Sequence, residues 1–152
     1  QKLHILLPEG TQVTAEHVEQ HIGISKDYNV FELQRALGNK DIERANRIVQ
    51  YFEANPKNAP LAMVVPVLHA YFARVLVYQT LQDRSEAAAA KAMRCSPYAV
   101  RNYARAAGTF SPAKVERIFG YLRDADKKAK GRSNATTSDG MLLREAVFKI
   151  LH

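Results

Sequence analysis

Residues 28–52, YNVFELQRALGNKDIERANRIVQYF, decide the fold class of this 152-residue chain. They predict two short amphipathic helices joined at Gly38 and Asn39, because apolar residues recur three and four positions apart in each half. Gly38 is expected to supply the left-handed residue that often ends a helix. Short helices cannot bury an apolar face alone, so further helices must pack against them. The two faces consist of Val30, Leu33 and Leu37 in the first helix and Ile42, Ala45, Ile48, Val49 and Phe52 in the second.

The composition of the whole chain agrees with this pattern, and we predict an all-α helical bundle. Hydrophobic residues make up 47% of the chain, there is no Trp, and Gly and Pro number only seven and six. The single cysteine, Cys95, cannot form an internal disulfide, and no signal-peptide or lipidation motif is recognised. The expected location is therefore the cytoplasm.

The formal net charge of +7 comes entirely from the second half of the sequence. Residues 1–76 contain eight Lys or Arg and eight Asp or Glu, whereas residues 77–152 contain fourteen and seven. A one-sided basic balance indicates an acidic partner, either nucleic acid or an acidic protein surface, or else solvated helix faces without a partner. The sequence leaves both interpretations open.

A long helix is predicted after the loop at residues 55–60, whose prolines disfavour helical geometry in the residues before them. His69 and Arg74 interrupt its apolar run before the ~18 residues of a membrane span, so we expect a central core helix and no membrane contact. Pro66 should kink this helix or delay its start. His69 is expected to be a hydrogen-bonded core histidine. The apolar stripe consists of Leu61, Val64, Val65, Leu68, Phe72, Val75 and Leu76.

Residues 85–107, SEAAAAKAMRCSPYAVRNYARAA, have the outline of a helix-turn-helix. Ser96 as N-cap and Pro97 at the first helical position open its second helix. Arg101, Asn102 and Arg105 should face outward there, with side chains suited to bases and phosphates. The same outline also serves as a packing unit, so a DNA-binding helix-turn-helix protein remains the alternative function.

Two further helices complete the predicted bundle. The first starts near residue 111 and carries two acid-before-base pairs, Asp124 with Lys128 and Asp126 with Lys130, which support an exposed helix. The last helix carries an apolar stripe up to the C-terminus, made of Leu142, Leu143, Ala146, Val147, Ile150 and Leu151.

No catalytic, cofactor or metal centre is recognised in the sequence. A Gly-rich phosphate loop and a Ser, His and Asp set are both absent. His17 and His21 have the spacing of metal ligands, but no third ligand accompanies them. Cys95 has no nearby His to activate it. We therefore expect no enzymatic activity, no cofactor and no bound metal.

The order of these elements resembles the C-terminal part of the delta subunit of the bacterial DNA polymerase III clamp loader. Three segments carry the resemblance, which covers nearly the whole chain: VFELQRALGNKDIERANRIVQYFE, AKAMRCSPYAVRNYARAAGTFSPAKVERIFGYLRDADKKAKG and LLREAVFKIL. No single motif is diagnostic, but the order and spacing are specific. Residues 9–24, EGTQVTAEHVEQHIGI, resemble the last helix of the lid domain that precedes the collar domain in that family.

The resemblance implies two parts, a remnant of the AAA-type lid domain at residues 1–25 and a helical collar domain at residues 26–152. Because the chain begins at Gln1 and opens on an apolar segment, we also expect it to be a piece of a longer protein. In that family the collar holds five subunits in a ring during DNA replication, and an N-terminal domain outside this sequence opens the sliding clamp. The implied partners are the C-terminal domains of other clamp-loader subunits, with weak or indirect DNA contact.

Arg and Tyr are enriched at protein interfaces, and several lie outside or beside the apolar stripes of the basic second half. Solvated helix faces remain the alternative interpretation for each of them. The candidate subunit-interface residues are Arg101, Arg105, Arg117, Tyr121 and Arg123. The possible nucleic-acid contacts are Lys127, Lys128, Lys130 and Arg132.

Overall fold

The computed structural model describes residues 26–131 and 137–152, and within these ranges it contains seven α-helices, two short 3-10 helices and no strand. The predicted all-α fold is confirmed. The predicted lid remnant at residues 1–25 lies outside the described residues. The α-helices are α1 (Val30–Gly38), α2 (Ile42–Ala54), α3 (Leu61–Thr80), α4 (Glu86–Met93), α5 (Val100–Thr109), α6 (Pro112–Gly131) and α7 (Asp139–Leu151).

Helix α3 is the centre of the bundle, because α1, α4, α5, α6 and α7 all pack against it. By length and composition alone α3 could cross a membrane, since an 18-residue window has a mean hydropathy of 1.7. His69 and Arg74 therefore do not by themselves exclude a span. Five helices pack around α3, but only 33% of this window is buried, so packing accounts for part of its apolar character and other apolar residues stay exposed among the described residues. Its buried residues include Leu61, Val64, Leu68, Phe72 and Val75.

The structure tests two expectations about α3. Pro66 does not delay the helix, which begins at Leu61, and a kink at this residue stays a prediction. Ala62, whose carbonyl loses its helical partner to the proline, is exposed, so water can satisfy this carbonyl. The prediction that His69 is a core histidine is wrong, because His69 is exposed and lies with its ring centroid 4.9 Å from that of Phe119 in α6.

Both short helices of residues 28–52 are present, and a side chain caps the start of each. Asn29 accepts hydrogen bonds from two backbone amides in the first turn of α1, and Asp41 accepts one in the first turn of α2. The predicted apolar faces are buried, except that Ile42 is 38% exposed at the start of α2. The contacts between α1 and α2 make them an antiparallel pair joined by a short turn.

Gly38 does not provide the left-handed residue that ends α1. It is the buried last residue of the helix, and the left-handed φ of 54° belongs to Lys40. A Cβ at Gly38 would overlap the hydroxyl of Tyr71 and would lie 3.4 Å from the Cβ of Ala106. The missing side chain therefore allows α1 to approach α3 and α5 closely.

The connection from α4 to α5 depends on one more left-handed residue and on a side chain of α3. Arg94 closes α4 with a φ of 55°, and the Nε of Arg74 donates a hydrogen bond of 2.9 Å to the carbonyl of Met93. Ser96 caps the 3-10 turn Pro97–Ala99, after which α5 begins. The helix-turn-helix outline is thus present in the described chain.

Helix α7 is held at both ends by partners far away in sequence. The side chain of Asp139 accepts a 2.9 Å hydrogen bond from the amide of Leu61, the first residue of α3. The N-cap residue of α3 is Pro60, whose side chain cannot accept such a bond. At the other end, the Nζ of Lys114 donates a 2.8 Å hydrogen bond to the carbonyl of Lys149. Orphan groups at two helix ends are thereby satisfied across the bundle.

Helix α7 also approaches α2 closely. A Cβ at Gly140 would lie 3.0 Å from the Cα of Glu53, so only glycine fits this position without a shift of the backbone. The Arg144 side chain forms an ion pair with the carboxylate of Glu53 one turn further along α7. The C-terminal helix therefore closes the bundle, as the sequence predicts.

Gly38→Ala should lower the free energy of unfolding by about 1 to 3 kcal/mol, because its Cβ would overlap the Tyr71 hydroxyl in a close-packed interior. Urea unfolding followed by circular dichroism measures this. Tyr71→Phe removes the overlapping oxygen, so the Gly38→Ala, Tyr71→Phe double variant should recover part of the loss. Gly120→Ala is the control, since nothing lies within 4 Å of that Cβ position. A Gly38→Ala variant as stable as the wild type would contradict the close approach.

Asp139→Ala should lower the free energy of unfolding by about 1 to 2 kcal/mol, because the Leu61 amide would lose the side-chain cap that Asp139 gives to α3. Asp124→Ala, at an exposed position of α6, is the matched control and should change stability little. Thermal or urea unfolding of both variants under one set of conditions decides the matter. Equal losses in the two variants would show that the contact with Leu61 contributes nothing specific.

Candidate subunit-interaction surface

One apolar side of α3 is left uncovered by the described part of the chain. Met63 and Val77 are 39% and 36% exposed. Pro66 and Ala70 are also exposed, and the spacing of three, four and seven residues places all four on one face of the helix. We call these four residues the outer face of α3. Apolar residues that are exposed together on one helix face are typical of interaction sites.

Beside the outer face of α3, a cleft opens between α1, α3 and α5. It has two adjoining parts, of about 200 Å³ next to α5 and about 360 Å³ next to α3. Both parts are lined by Phe31, Gln34, Tyr71 and Tyr103. The first part adds Arg35, Asn39, Ala99 and Asn102, and the second adds Pro66, Val67, Ala70 and Arg74.

Aromatic rings form the floor and one wall of this cleft. Tyr71 and Tyr103 are only 3% and 9% exposed, and their ring centroids are 5.3 Å apart. Phe31, in contrast, is 60% exposed at the edge. Burial raises the pKa of Tyr71 well above its usual value, with a smaller contribution from Tyr103, so its hydroxyl remains protonated at neutral pH. The floor is therefore neutral and mostly apolar.

Positive charge lies beside the aromatic floor. Arg35 and Arg74 line the cleft, and no acidic residue is among the lining residues. Glu32, one turn before Arg35, contacts both Arg35 at 3.4 Å and Arg44 at 3.0 Å. Two guanidinium groups thus share a single carboxylate, and the α1 side of the cleft keeps a net positive charge.

The residues of α5 that suggested DNA recognition partly face this cleft. Arg101, Asn102 and Arg105 are all exposed, as predicted. Asn102 lines the cleft, however, and an Nη of Arg105 donates a 3.4 Å hydrogen bond to the side chain of Asn39 at the end of α1. Two of the three side chains are therefore directed toward α1 rather than away from the bundle.

The interface candidates on α6 lie on another part of the surface. Arg117 and Arg123 are exposed, but Tyr121 is half-buried with its ring 5.4 Å from the Nζ of Lys114 and 5.8 Å from that of Lys149. Tyr121 is thus engaged in cation–π contacts between α6 and α7. Helices α5 and α6 pack against α3 and make little contact with each other. The five predicted interface residues therefore come from two helices that do not pack closely against each other, and their role stays a prediction.

Most of the lysines near the end of α6 have acidic partners. Lys130 pairs with Asp126 at 2.8 Å, which confirms one predicted pair. The predicted pair of Asp124 with Lys128 is wrong, because Lys128 contacts Glu145 of α7 at 3.2 Å instead. Lys127 is exposed, and Arg132 lies outside the described residues. The basic segment is therefore partly neutralised by its own chain.

The described residues present no metal centre and no activated thiol. No group of three His, Cys, Asp or Glu within residues 26–131 and 137–152 could hold a metal ion. Cys95 is half-buried, and burial raises the pKa of its thiol, with Arg74 acting in the opposite direction. The thiol is therefore protonated at neutral pH, and nucleophilic chemistry has no support at this position.

The cleft could not be recognised from the sequence as a site. Its lining comes from residues 31–39, 66–74 and 99–103, which only the packing of α1, α3 and α5 brings together. One signal was present in the sequence: Phe31 is a large aromatic residue outside the apolar stripe of α1. Single exposed aromatic residues are common on protein surfaces, so this signal alone did not identify the cleft.

The described residues form an all-helical bundle whose central helix leaves apolar residues exposed on one face. The family model described as DNA polymerase III delta subunit, C-terminal domain, matches residues 27–143, and the chain therefore belongs to this family. The fold is similar to that of a solved structure, the DNA clamp loader delta protein of Bacillus subtilis (YqeN), with a TM-score of 0.65 and 18% sequence identity. That match covers 99% of this chain and 43% of the Bacillus subtilis chain, so the chain spans less than half the length of that protein. A comparison with curated proteins found no match.

Lys128→Met should lower the free energy of unfolding at neutral pH by less than about 1 kcal/mol, because the pair with Glu145 is exposed to solvent. The hydrogen bond from Lys128 holds the pKa of Glu145 below its usual value, so the pair stabilises the fold above the unfolded-state pKa of a glutamate. This contribution is lost as the pH falls through the lowered pKa. Urea midpoints at several pH values should show the variant and the wild type converging in acid.

Lys127→Met is the matched control for this measurement, since Lys127 is exposed on the same turn of α6. Its stability should follow the wild type at every pH. A Lys128→Met difference that persists unchanged in acid would show that the carboxylate of Glu145 is not the partner.

Proposed function

We propose that the chain is the non-catalytic collar part of a clamp-loader delta subunit, which holds clamp-loader subunits together while a sliding clamp is loaded during DNA replication. The uncovered outer face of α3 carries this proposal. Helix α3, at the centre of the bundle, packs against five helices and still has one apolar side exposed among the described residues. In an isolated protein these apolar residues stay in contact with water, whereas an assembly can bury them, which favours association.

Membership of the delta family supports the same function from another direction. The implied partners are the C-terminal domains of the other clamp-loader subunits. A sliding clamp would be contacted by a domain outside this chain, and the assembly would work in the cytoplasm. The arginines and aromatic residues of the cleft beside α3 are residue types that are enriched at protein interfaces.

The second candidate is a DNA-binding helix-turn-helix at residues 85–107, favoured by the exposed Arg101 and Arg105. The contacts of α5 with α1 speak against it, because Asn102 and Arg105 are turned toward the cleft and Asn39. Positive charge without fixed base contacts favours weak, salt-sensitive binding without sequence preference. Under the collar proposal, any DNA affinity of this chain is of that kind.

The protein should associate with the other clamp-loader subunits of its own replication machinery at micromolar concentration. Size-exclusion chromatography after nuclease treatment, combined with light scattering, measures this association. An unrelated helical protein of similar charge is the negative control. Separate elution of all components would contradict the collar proposal. A labelled DNA duplex bound tightly at physiological salt, with discrimination against a scrambled competitor, would favour the helix-turn-helix alternative instead.

A further inference from the structure

The cleft between α1, α3 and α5 has the residue types of an interface centre rather than of an ordinary surface. Phe31, Tyr71, Tyr103, Arg35 and Arg74 are aromatic residues or arginines, the types that dominate binding energy at protein interfaces. No Lys, Glu or Asp, which interfaces avoid, lines either part of the cleft. The cleft also continues the outer face of α3, because Pro66 and Ala70 belong to both.

The two parts of the cleft differ in size, and the smaller part suits a single large protein side chain. The part next to α5 is about 200 Å³, below the ~300 to 1,000 Å³ of small-molecule sites. The adjoining part, of about 360 Å³, runs along α3 beside its outer face. A helix laid along α3 can therefore place a large apolar side chain in the deeper part and cover the outer face with its neighbours one turn away.

The charge of the cleft selects an acidic partner. Arg35 is exposed, and its ion-pair partner Glu32 also contacts Arg44. Arg35 can therefore donate hydrogen bonds to a carboxylate of the partner protein while Glu32 stays paired with Arg44. A basic partner would meet Arg35 and Arg74 without a compensating acid in the lining.

A nucleic-acid strand would also bring negative charge, but the cleft lacks a stacking platform. Base stacking needs open aromatic faces, and Tyr71 and Tyr103 are 3% and 9% exposed. Only Phe31 presents substantial ring area, and one ring does not track a strand. The arrangement fits an apolar anchor that fills a pocket better than a row of bases.

We propose that this cleft receives an amphipathic helix of a neighbouring clamp-loader subunit, which inserts a large apolar side chain beside Phe31 and Tyr103 and places an Asp or Glu against Arg35. This inference rests on the proposed collar function and adds the place and chemistry of one contact. The anchor covers the aromatic floor, and the next turns of the same helix cover Pro66 and Ala70.

The test compares cleft variants with matched variants elsewhere in the otherwise complete protein. Phe31→Ser removes the aromatic edge of the cleft, and Phe148→Ser changes an equally exposed phenylalanine, 61% against 60%, on α7. Arg35→Glu reverses the charge beside the cleft, and Arg47→Glu reverses the charge of an arginine on α2 that is similarly exposed, 55% against 57%, and that also pairs with a carboxylate of its own helix. Circular dichroism and urea midpoints first establish that all four variants are folded. Sedimentation or anisotropy titration with the purified partner subunits then measures affinity.

Phe31→Ser and Arg35→Glu should each weaken association about tenfold or more, whereas the two matched variants should stay close to the wild type. Added salt should weaken the wild-type complex, and Arg35→Glu should show a smaller salt dependence because the ion pair is already lost. If Phe148→Ser or Arg47→Glu disrupts assembly while the cleft variants do not, the contact lies on α2 or α7 and the inference is wrong.

Failure of the inference can be told from failure of the proposed function. A wild type that never associates overturns both, whereas normal association of both cleft variants overturns the inference alone. Titration with a labelled single-stranded oligonucleotide tests whether the cleft binds nucleic acid instead of a protein helix. Loss of oligonucleotide binding in Phe31→Ser, with subunit association intact, would assign the cleft to nucleic acid and overturn the proposal.

Discussion

The contact between Gly38 and Tyr71 is the constraint on which the rest of the bundle depends. Tyr71 of α3 places its hydroxyl where a Cβ of Gly38 would be, and Ala106 of α5 approaches the same point. The centroid of the Tyr71 ring lies 5.1 Å from that of Phe72 and 5.3 Å from that of Tyr103. The Tyr71 side chain therefore contacts α1 and α5 as well as its own helix. The cleft is the space that remains between α1 and α5 on the solvent side of this tyrosine.

The helix ends show how the bundle is assembled from segments that are weak alone. Helix α3 has no side-chain cap of its own, and Asp139 supplies one from α7. Arg74 donates a hydrogen bond to a carbonyl at the end of α4, and Lys114 donates one to a carbonyl in the last turn of α7. Each of these bonds joins residues at least 19 positions apart in the chain. Helix formation and helix packing are thus coupled, as expected for helices whose stability comes mainly from tertiary contacts.

The distribution of charge changes meaning once the fold is known. The basic second half predicts either an acidic partner or solvated helix faces, but α5 and α6 make little contact with each other and Lys128 and Lys130 are paired with carboxylates. The cleft instead takes both of its arginines, Arg35 and Arg74, from residues 1–76, the half of the sequence without net charge. Charge counted along the chain does not report charge at a site, because packing decides which side chains share a surface.

The sequence by itself determined the helices and their buried faces. The residues predicted as apolar stripes in α1, α2, α3 and α7 are nearly all buried, because a period of 3.6 residues is a property of a single helix. It also determined the family, through the order and spacing of segments. Single residues with several possible roles were a different matter. Local pattern predicts that Gly38 ends a helix by its conformation, that His69 is buried and that Lys128 pairs with Asp124, and all three predictions are wrong. Only the tertiary structure decided these roles and assembled the cleft, because each depends on a neighbour contributed by a distant segment whose position no local pattern encodes.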